Sequence, residues 1–223
     1  SEAQSLLLRV TRNCSWNNCE FCHIYKGKRF SLRSVEEVKK DIDSIRTIVS
    51  EIQSLSWNMG FGGDINTAVM RAVLHGPRPY PEGSRSIILW LYRGGENVFL
   101  QDANNLAHRT KDLVEILTYL KNAFHSIQRI TTYTRARTIA RKSLEELQAL
   151  HDAGLSRIHV GLESGYDPLL KLVHKGVTAK ELVDAGQKVK QSGISLSEYI
   201  MPGLGGKGMW REHAVETARV LSR

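Results

Sequence analysis

Residues 143–162, SLEELQALHDAGLSRIHVGL, decide the fold because they contain one complete helix–turn–strand unit. Ser143 and Glu146 match a capping box, in which a hydroxyl and a carboxylate reciprocally satisfy free amides at a helix start. The helical pattern ends at Gly154, since glycine tolerates the positive φ that a helix C-terminus often requires. The segment RIHVGL that follows is predicted to be a short strand.

The same unit recurs along the chain. Thr178 and Glu181 begin another helix, Gly193 ends it, and LSEYIM follows as a strand. Three further strands are predicted upstream, at SLLLRV, NVFLQD and QRITTY. Because a helix-length segment separates consecutive strands, the sequence predicts an α/β fold of parallel strands with helical crossovers.

Residues 60–85 depart from this alternation. Ser34 and Glu37 begin a long amphipathic helix that ends near Leu55, and a segment rich in glycine and proline follows it, with a short helix predicted inside. We interpret residues 60–85 as an excursion from one domain that spans residues 1–223. Such an excursion often carries a lid or a substrate contact.

The composition is that of an ordinary globular protein, with 41% hydrophobic and 24% charged residues. The longest apolar run, residues 87–92, is far too short to cross a bilayer. The opening SEAQSLLLRV lacks the basic segment that precedes the apolar stretch of a signal peptide. We therefore expect a cytoplasmic protein with no membrane partner.

The chain is basic, with a formal net charge of +8 and a pI near 9.5. This charge permits nucleic acid or another anionic partner without requiring one. Residues 125–144 contain no acid and carry a run of basic side chains: Arg129, Arg135, Arg137, Arg141 and Lys142. Such a run forms either a solvated face or a pocket wall that faces an anion.

The candidate chemistry centres on Cys14, Cys19 and Cys22, in the loop TRNCSWNNCEFC after the first predicted strand. Strand ends of this kind hold the active sites of α/β folds. Three cysteines so close together cannot form a fully paired disulfide framework, so in a reducing cytosol they indicate metal ligation or catalysis. Three thiolates can hold three corners of an iron–sulfur cube and leave the fourth iron open. Structural zinc, the alternative, requires four ligands, and His23 is poorly placed to be the fourth.

This loop resembles the cysteine motif of the radical S-adenosylmethionine (SAM) superfamily. The resemblance implies a partial (β/α) barrel whose [4Fe–4S] cluster reductively cleaves S-adenosylmethionine to a 5′-deoxyadenosyl radical that abstracts hydrogen from a substrate. It further implies that Phe21 contacts the adenine and that an external donor such as flavodoxin or ferredoxin supplies electrons. Four residues separate Cys14 from Cys19 where three are usual, and we interpret this spacing as the mark of a subfamily.

The resemblance also sets an expectation for the edge of the barrel. The superfamily fold generally has six parallel strands, whereas five are visible here before Arg223. An edge strand without a neighbour exposes unpaired amides. We therefore expect the natural chain to continue, or a partner chain or the 60–85 excursion to cover LSEYIM.

In the superfamily a Gly-Gly-Glu segment at the end of the second strand binds the methionine amine. The literal match, residues 94–96, precedes the strand NVFLQD, so we interpret it as the end of the helix SRSIILWLY. The amine contact is assigned instead to residues that follow the strand: Gln101, Asp102 and Asn104.

Residues 160–176, VGLESGYDPLLKLVHKG, resemble the fourth strand and following helix of the Elongator/coproporphyrinogen-oxidase-like branch. The resemblance implies that Glu163 lies at the ribose hydroxyls, that Ser164 belongs to the cofactor site and that Lys175 pairs with the methionine carboxylate. Lysine in place of the usual arginine keeps the charge and loses the bidentate fork, and a solvated helical lysine is the alternative. At the end of the fifth strand, the resemblance places Glu198 at the adenine and ribose. This alignment is fixed only to within one residue.

The sequence thus predicts a radical SAM enzyme whose small-molecule or anionic substrate is unknown. Candidate substrate contacts at strand ends are Tyr133, Arg135 and His159. The alternative is a non-catalytic iron–sulfur or zinc protein that binds nucleic acid through its basic surface. Five strand–helix units favour the enzyme, because a zinc-ribbon module needs no such barrel.

Overall fold

The computed structural model describes residues 4–76, 80–81 and 83–223. Pro77 and Pro79 of the predicted excursion, and the first three residues of the segment inspected for a signal peptide, lie outside the described residues. No helix among the described residues is long and apolar enough to cross a membrane.

The strands have the following bounds: β1 Leu6–Arg9, β2 Thr11–Arg12, β3 Ser31–Leu32, β4 Asn97–Gln101, β5 Arg129–Thr134, β6 Leu155–Glu163 and β7 Ser195–Ile200. Five of them form one sheet in the order β1-β4-β5-β6-β7, and every neighbouring pair is parallel. The predicted α/β fold with five parallel strands is confirmed, and the sheet has the topology of a partial (β/α) barrel.

The helices surround this sheet: α1 Val35–Asn58, α2 Thr67–His75, α3 Ser84–Tyr92, α4 Thr110–Ala123, α5 Ala136–Arg141, α6 Leu144–Asp152, α7 Asp167–Leu172, α8 Ala179–Gln191 and α9 Gly206–Leu221. All three predicted capping boxes are present, at the starts of α1, α6 and α8. Each supplies partners for amides that have none within the helix.

The core lies between the helices and one face of the sheet. Leu8 and Leu100 occupy neighbouring positions on β1 and β4, and each is 1% exposed. Side chains alternate between faces along a strand, so the opposite face carries Phe99, Tyr133 and His159. This second face is the inside of the barrel, and it points toward the candidate site.

The 60–85 excursion contains the predicted short helix, α2, which buries Val69 and Val73 in the common core. Helix α3 follows and ends before Gly94 and Gly95, whose φ angles are +96° and +67°. Residues 94–96 therefore end a helix, as the sequence predicts. The assignment of residues 1–223 to one domain stays a prediction.

Strand β7 is the edge of the described sheet and pairs with β6. Ser195, Tyr199 and Ile200 are exposed, and residues 196–198 are partly covered. The excursion packs elsewhere, since α2 contacts α1 and α3. Cover of this edge by other residues stays a prediction.

Candidate functional site

The cysteine loop connects two very short strands that the sequence pattern does not reveal. Strands β2 and β3 pair antiparallel, so that residues 13–30 leave and re-enter the body at nearly the same point. Asn13 and Asn17 adopt positive φ angles, which asparagine tolerates better than most residues. The Asn13 amide donates to Arg29 O at 2.7 Å, and that of Asn17 donates to Tyr25 O. These bonds fold the loop back on itself.

Cys14, Cys19 and Cys22 line one cavity of about 370 Å³, called here the cysteine cavity. All three thiols are free and partly exposed. The cavity lies where parallel strands end, and its wall includes Phe21 and Tyr199. Three free thiols beside an open cavity fit a [4Fe–4S] cluster that binds protein through three irons. Among the described residues, no three His, Cys, Asp or Glu side chains are close enough together to hold a single metal ion.

Two cations face the thiols. Burial raises the pKa of Cys19, and the positive charges of Lys175 and Arg135 oppose that rise. Burial also lowers the pKa of Arg135, an effect that the nearby Cys14 and Cys19 oppose. The thiols and the cations therefore share one electrostatic environment, in which the pKa of Cys19 stays raised because burial outweighs the two positive charges.

A partly buried ion pair forms the opposite wall. Lys175 Nζ donates to Glu163 Oε1 at 2.9 Å, and each side chain is 12% exposed. The Lys175 Nζ also lies 5.7 Å from the centroid of the Phe21 ring. A Cβ on Gly161 would lie 2.3 Å from Glu163 Oε1 and 2.8 Å from Lys175 Nζ, so a side chain at this position would displace the charged ends of the pair. The structure thus brings together three of the predicted cofactor residues: Phe21, Glu163 and Lys175.

Trp16 joins the cysteine loop to the turn that carries Lys175. Its Nε1–H donates to His174 O at 2.7 Å, and the Arg135 guanidinium lies 4.9 Å from its ring centroid. On the other side, a Cβ on Gly176 would lie 2.4 Å from the indole. The sequence does not predict a role for Trp16. The one feature that could have indicated it is a large aromatic residue between two cysteines.

Asp102 holds the cysteine loop in place. Its carboxylate accepts from Asn13 N at 3.2 Å and from Tyr25 Oη at 3.1 Å, and it pairs with Arg9 Nε at 3.1 Å. Burial, and then the Asp102 carboxylate, raise the pKa of Tyr25 to about 12. The polar atoms of Asp102 are therefore engaged within the protein.

Asn104 is 1% exposed, and both polar atoms of its side-chain amide are hydrogen-bonded. Its Nδ2 donates to Ser15 Oγ at 2.7 Å and to Thr138 Oγ1 at 2.9 Å, while its Oδ1 accepts from Thr134 and from Arg135 N. Gln101 lines a neighbouring groove rather than the cysteine cavity. The predicted amine contact through residues 101–104 stays a prediction, and of these residues Ala103 lines the cavity.

Two other predicted cofactor contacts lie outside the cysteine cavity. Ser164 is buried against α9, with its Oγ 2.8 Å from His213 Nδ1. Glu198 lines a groove beside Gly186 on the helix-facing side of β7, where burial raises the pKa of its carboxyl. Because side chains alternate along a strand, the next residue, Tyr199, is the one that lines the cavity.

Aromatic side chains cover the inside of the barrel next to the cavity. The Tyr133 and His159 ring centroids are 5.3 Å apart, and those of His159 and Tyr199 are 5.4 Å apart. Phe99 packs edge-on against Tyr133. Tyr133 and Arg135, predicted substrate contacts, both line the cysteine cavity, and His159 lies behind them against Tyr133 and Tyr199.

A family model described as the Radical SAM superfamily matches residues 81–218. A curated tRNA uridine(34) acetyltransferase of Methanocaldococcus infernus is 29% identical over 108 residues, which cover 48% of this chain and 20% of the relative. The matched part of the chain therefore spans about a fifth of the length of that relative.

Solved structures with the same fold include the cobalamin-dependent S-adenosylmethionine radical enzyme OxsB, bound to aqua-cobalamin and S-adenosylmethionine. It has a TM-score of 0.61 and 20% identity, over 98% of this chain and 26% of that one. Coproporphyrinogen III oxidase of Escherichia coli, described as a radical SAM enzyme, has a TM-score of 0.55 and 13% identity, over 98% of this chain and 41% of the oxidase.

Proposed function

Because the chain belongs to the radical SAM superfamily, we propose that it modifies a nucleotide of a tRNA by radical chemistry. Membership confirms the resemblance stated from the cysteine loop, and the protein is an enzyme whose cofactors are a [4Fe–4S] cluster and S-adenosylmethionine. The tRNA acetyltransferase and the oxidase agree with the predicted Elongator/coproporphyrinogen-oxidase-like branch. The observation that carries the proposal is one cavity in which three free thiols face two cations and a carboxylate.

The side chains of the cysteine cavity suggest a division of roles. Cys14, Cys19 and Cys22 hold the cluster, which supplies the electron that cleaves S-adenosylmethionine. Lys175 pairs with the methionine carboxylate, and Glu163 accepts from the ribose hydroxyls. The Phe21 ring, at the cavity wall, contacts the adenine.

Three further residues are assigned within this proposal. Tyr199 replaces Glu198 as the contact from β7, since Tyr199 is the side chain that lines the cavity. Tyr133 and Arg135 contact the substrate, and His159 packs behind Tyr133.

The tRNA substrate is supported by the acetyltransferase relative and by the net charge of +8. Nucleic acids attract basic proteins over long range. We also propose that residues 1–223 form one core domain with residues 60–85 as its excursion. The protein acts in the reducing cytoplasm, where its thiols remain free, and takes electrons from an external donor such as flavodoxin or ferredoxin.

The first test is the cluster itself. Anaerobic reconstitution should give about four irons per chain, and Cys14→Ala, Cys19→Ala or Cys22→Ala should each abolish cluster binding because one thiolate ligand is lost. His23→Ala is the matched control, and it should keep the irons. Stoichiometric zinc that resists exchange in anaerobically purified protein would contradict the cluster assignment.

The second test concerns the substrate. With dithionite as reductant, the yield of 5′-deoxyadenosine should rise when tRNA is added, because the radical then has a hydrogen to abstract. A yield that tRNA leaves unchanged contradicts the tRNA assignment, while the cluster result still decides the superfamily chemistry.

A further inference from the structure

Two basic residues of the acid-free segment 125–144, Arg135 and Arg137, line the cysteine cavity. Arg135 follows the last residue of β5 and is the N-cap of α5. Its backbone amide donates to Asn104 Oδ1 at 3.2 Å. The Arg135 side chain therefore starts from a fixed backbone position, at the strand ends where the cysteine loop lies.

Two contacts hold the Arg135 guanidinium against neighbouring segments. One Nη donates to Lys175 O at 2.9 Å, and the guanidinium lies 4.9 Å from the centroid of the Trp16 ring. Trp16 lies between Cys14 and Cys19 in the sequence. The positive charge is therefore fixed beside the loop that carries the thiols, whichever substrate occupies the cavity.

The two cations that face the thiols differ in how their charge is balanced. Lys175 pairs with Glu163, whereas no carboxylate in the described part of the chain forms an ion pair with Arg135. A partly buried charge without a counter-charge costs free energy. Burial accordingly lowers the pKa of Arg135, and the negative charges of Cys14 and Cys19 oppose that effect. The cysteine loop thus supplies negative charge that compensates Arg135.

A cluster on this loop would change the amount of negative charge beside Arg135. A [4Fe–4S]2+ core with three thiolate ligands has a single net negative charge, and one-electron reduction doubles it. A fixed positive charge nearby therefore stabilises the reduced form more than the oxidised form. Charge and hydrogen bonding around a cluster are among the factors that set its reduction potential.

We propose that Arg135 raises the reduction potential of the cluster, and that its contacts with Trp16 and Lys175 hold the charge in place for this role. The inference rests on the proposed function, since it requires the cluster. Lys175 supplies less of this effect, because Glu163 offsets its charge. An external one-electron donor provides the electron, and Arg135 stays protonated throughout, because a guanidinium does not lose its proton in proteins.

The experiment compares wild type with Arg135→Gln and Arg135→Lys, each reconstituted anaerobically without S-adenosylmethionine. A redox titration followed by the electron paramagnetic resonance signal of the reduced cluster measures the potential. Arg135→Gln keeps an amide donor and loses the charge, so the equilibrium constant for reduction should fall about tenfold, which is about 59 mV for one electron. Arg135→Lys keeps the charge and loses the planar fork, and it should stay close to the wild-type potential.

Arg141→Gln is the matched control for the loss of one positive charge. Arg141 is exposed on α5, where solvent and salt screen its charge, so this variant should keep the wild-type potential. A wild-type potential in Arg135→Gln overturns the inference. An equal fall in Arg135→Gln and Arg135→Lys also overturns it, because the contacts of the side chain would then matter and its charge would not.

Iron retention decides the case in which Arg135→Gln binds no cluster. Arg135→Lys must then restore the iron, since it restores the charge, and a failure of lysine to do so overturns the inference. A wild type that assembles no [4Fe–4S] cluster defeats the proposed function itself. A wild-type cluster whose potential is independent of Arg135 defeats this inference alone.

Discussion

At the residue scale, the Glu163–Lys175 ion pair places two opposite charges at the wall of the cysteine cavity. Desolvation offsets most of the attraction within a buried ion pair, so such a pair adds little net stability. Glu163 is held at the end of β6 with a φ of +65°, and Gly161 leaves the space that both charged groups occupy. Backbone strain of this kind is common at ligand sites.

Removing either charge should weaken cofactor binding without removing the cluster. Glu163→Ala and Lys175→Ala each delete one charge-assisted contact, worth about 1.5–3 kcal/mol, or roughly a ten- to hundredfold loss of affinity for S-adenosylmethionine. Equilibrium dialysis with reconstituted protein measures the affinity, and iron content should stay at the wild-type value. Lys180→Ala, from the exposed Lys180–Asp184 pair, is the control. Normal binding by both cavity variants would remove these residues from the cofactor site.

At the scale of elements, the cysteine loop is fixed against the turn after α7. Glu20 N donates to Val173 O at 3.0 Å, and Trp16 packs between Gly176 and Arg135. The loop that holds the cysteines is therefore held directly against the turn that carries Lys175. Their relative position depends on Gly176, which leaves room for the Trp16 indole.

Gly176→Ala should displace Trp16 and reduce the iron retained after reconstitution. Gly176 has a φ of +69°, so alanine costs about 1–2 kcal/mol of strain besides the clash with the indole. Gly60→Ala is the matched control, because Gly60 has a φ of +83° with nothing within 4 Å of an added Cβ. Both variants should lose stability in urea, and only Gly176→Ala should lose iron. Equal iron retention would mean that the packing of Trp16 does not position the loop.

The strands and helix starts could be predicted because capping residues and apolar runs are local signals. The β2–β3 pair could not, since strands of two residues show no periodicity. Tyr199 lines the cysteine cavity and Glu198 does not, because a shift of one residue moves a strand side chain to the opposite face. Asp102 and Asn104 stay predicted ligand contacts, and both also make tertiary hydrogen bonds to distant segments that no local pattern reveals.

At the scale of the whole molecule, the sheet separates two environments. One face packs aliphatic side chains against helices, and the other carries aromatic and polar groups that lead to the cysteine cavity. Strand β1 is one edge of this sheet and β7 is the other. Along β7, Tyr199 is 43% exposed and Ile200 is 44% exposed.

An exposed strand edge with apolar side chains favours association between chains. We therefore expect this 223-residue chain to associate as its concentration rises, in sedimentation velocity experiments. Ile200→Lys should reduce that association, because a lysine at an edge opposes pairing with another strand. Val215→Lys is the control, since Val215 is 43% exposed on α9 and the change adds the same charge away from the strand. If wild type stays monomeric throughout, or if both lysine variants reduce association equally, the edge of β7 is not what joins the chains.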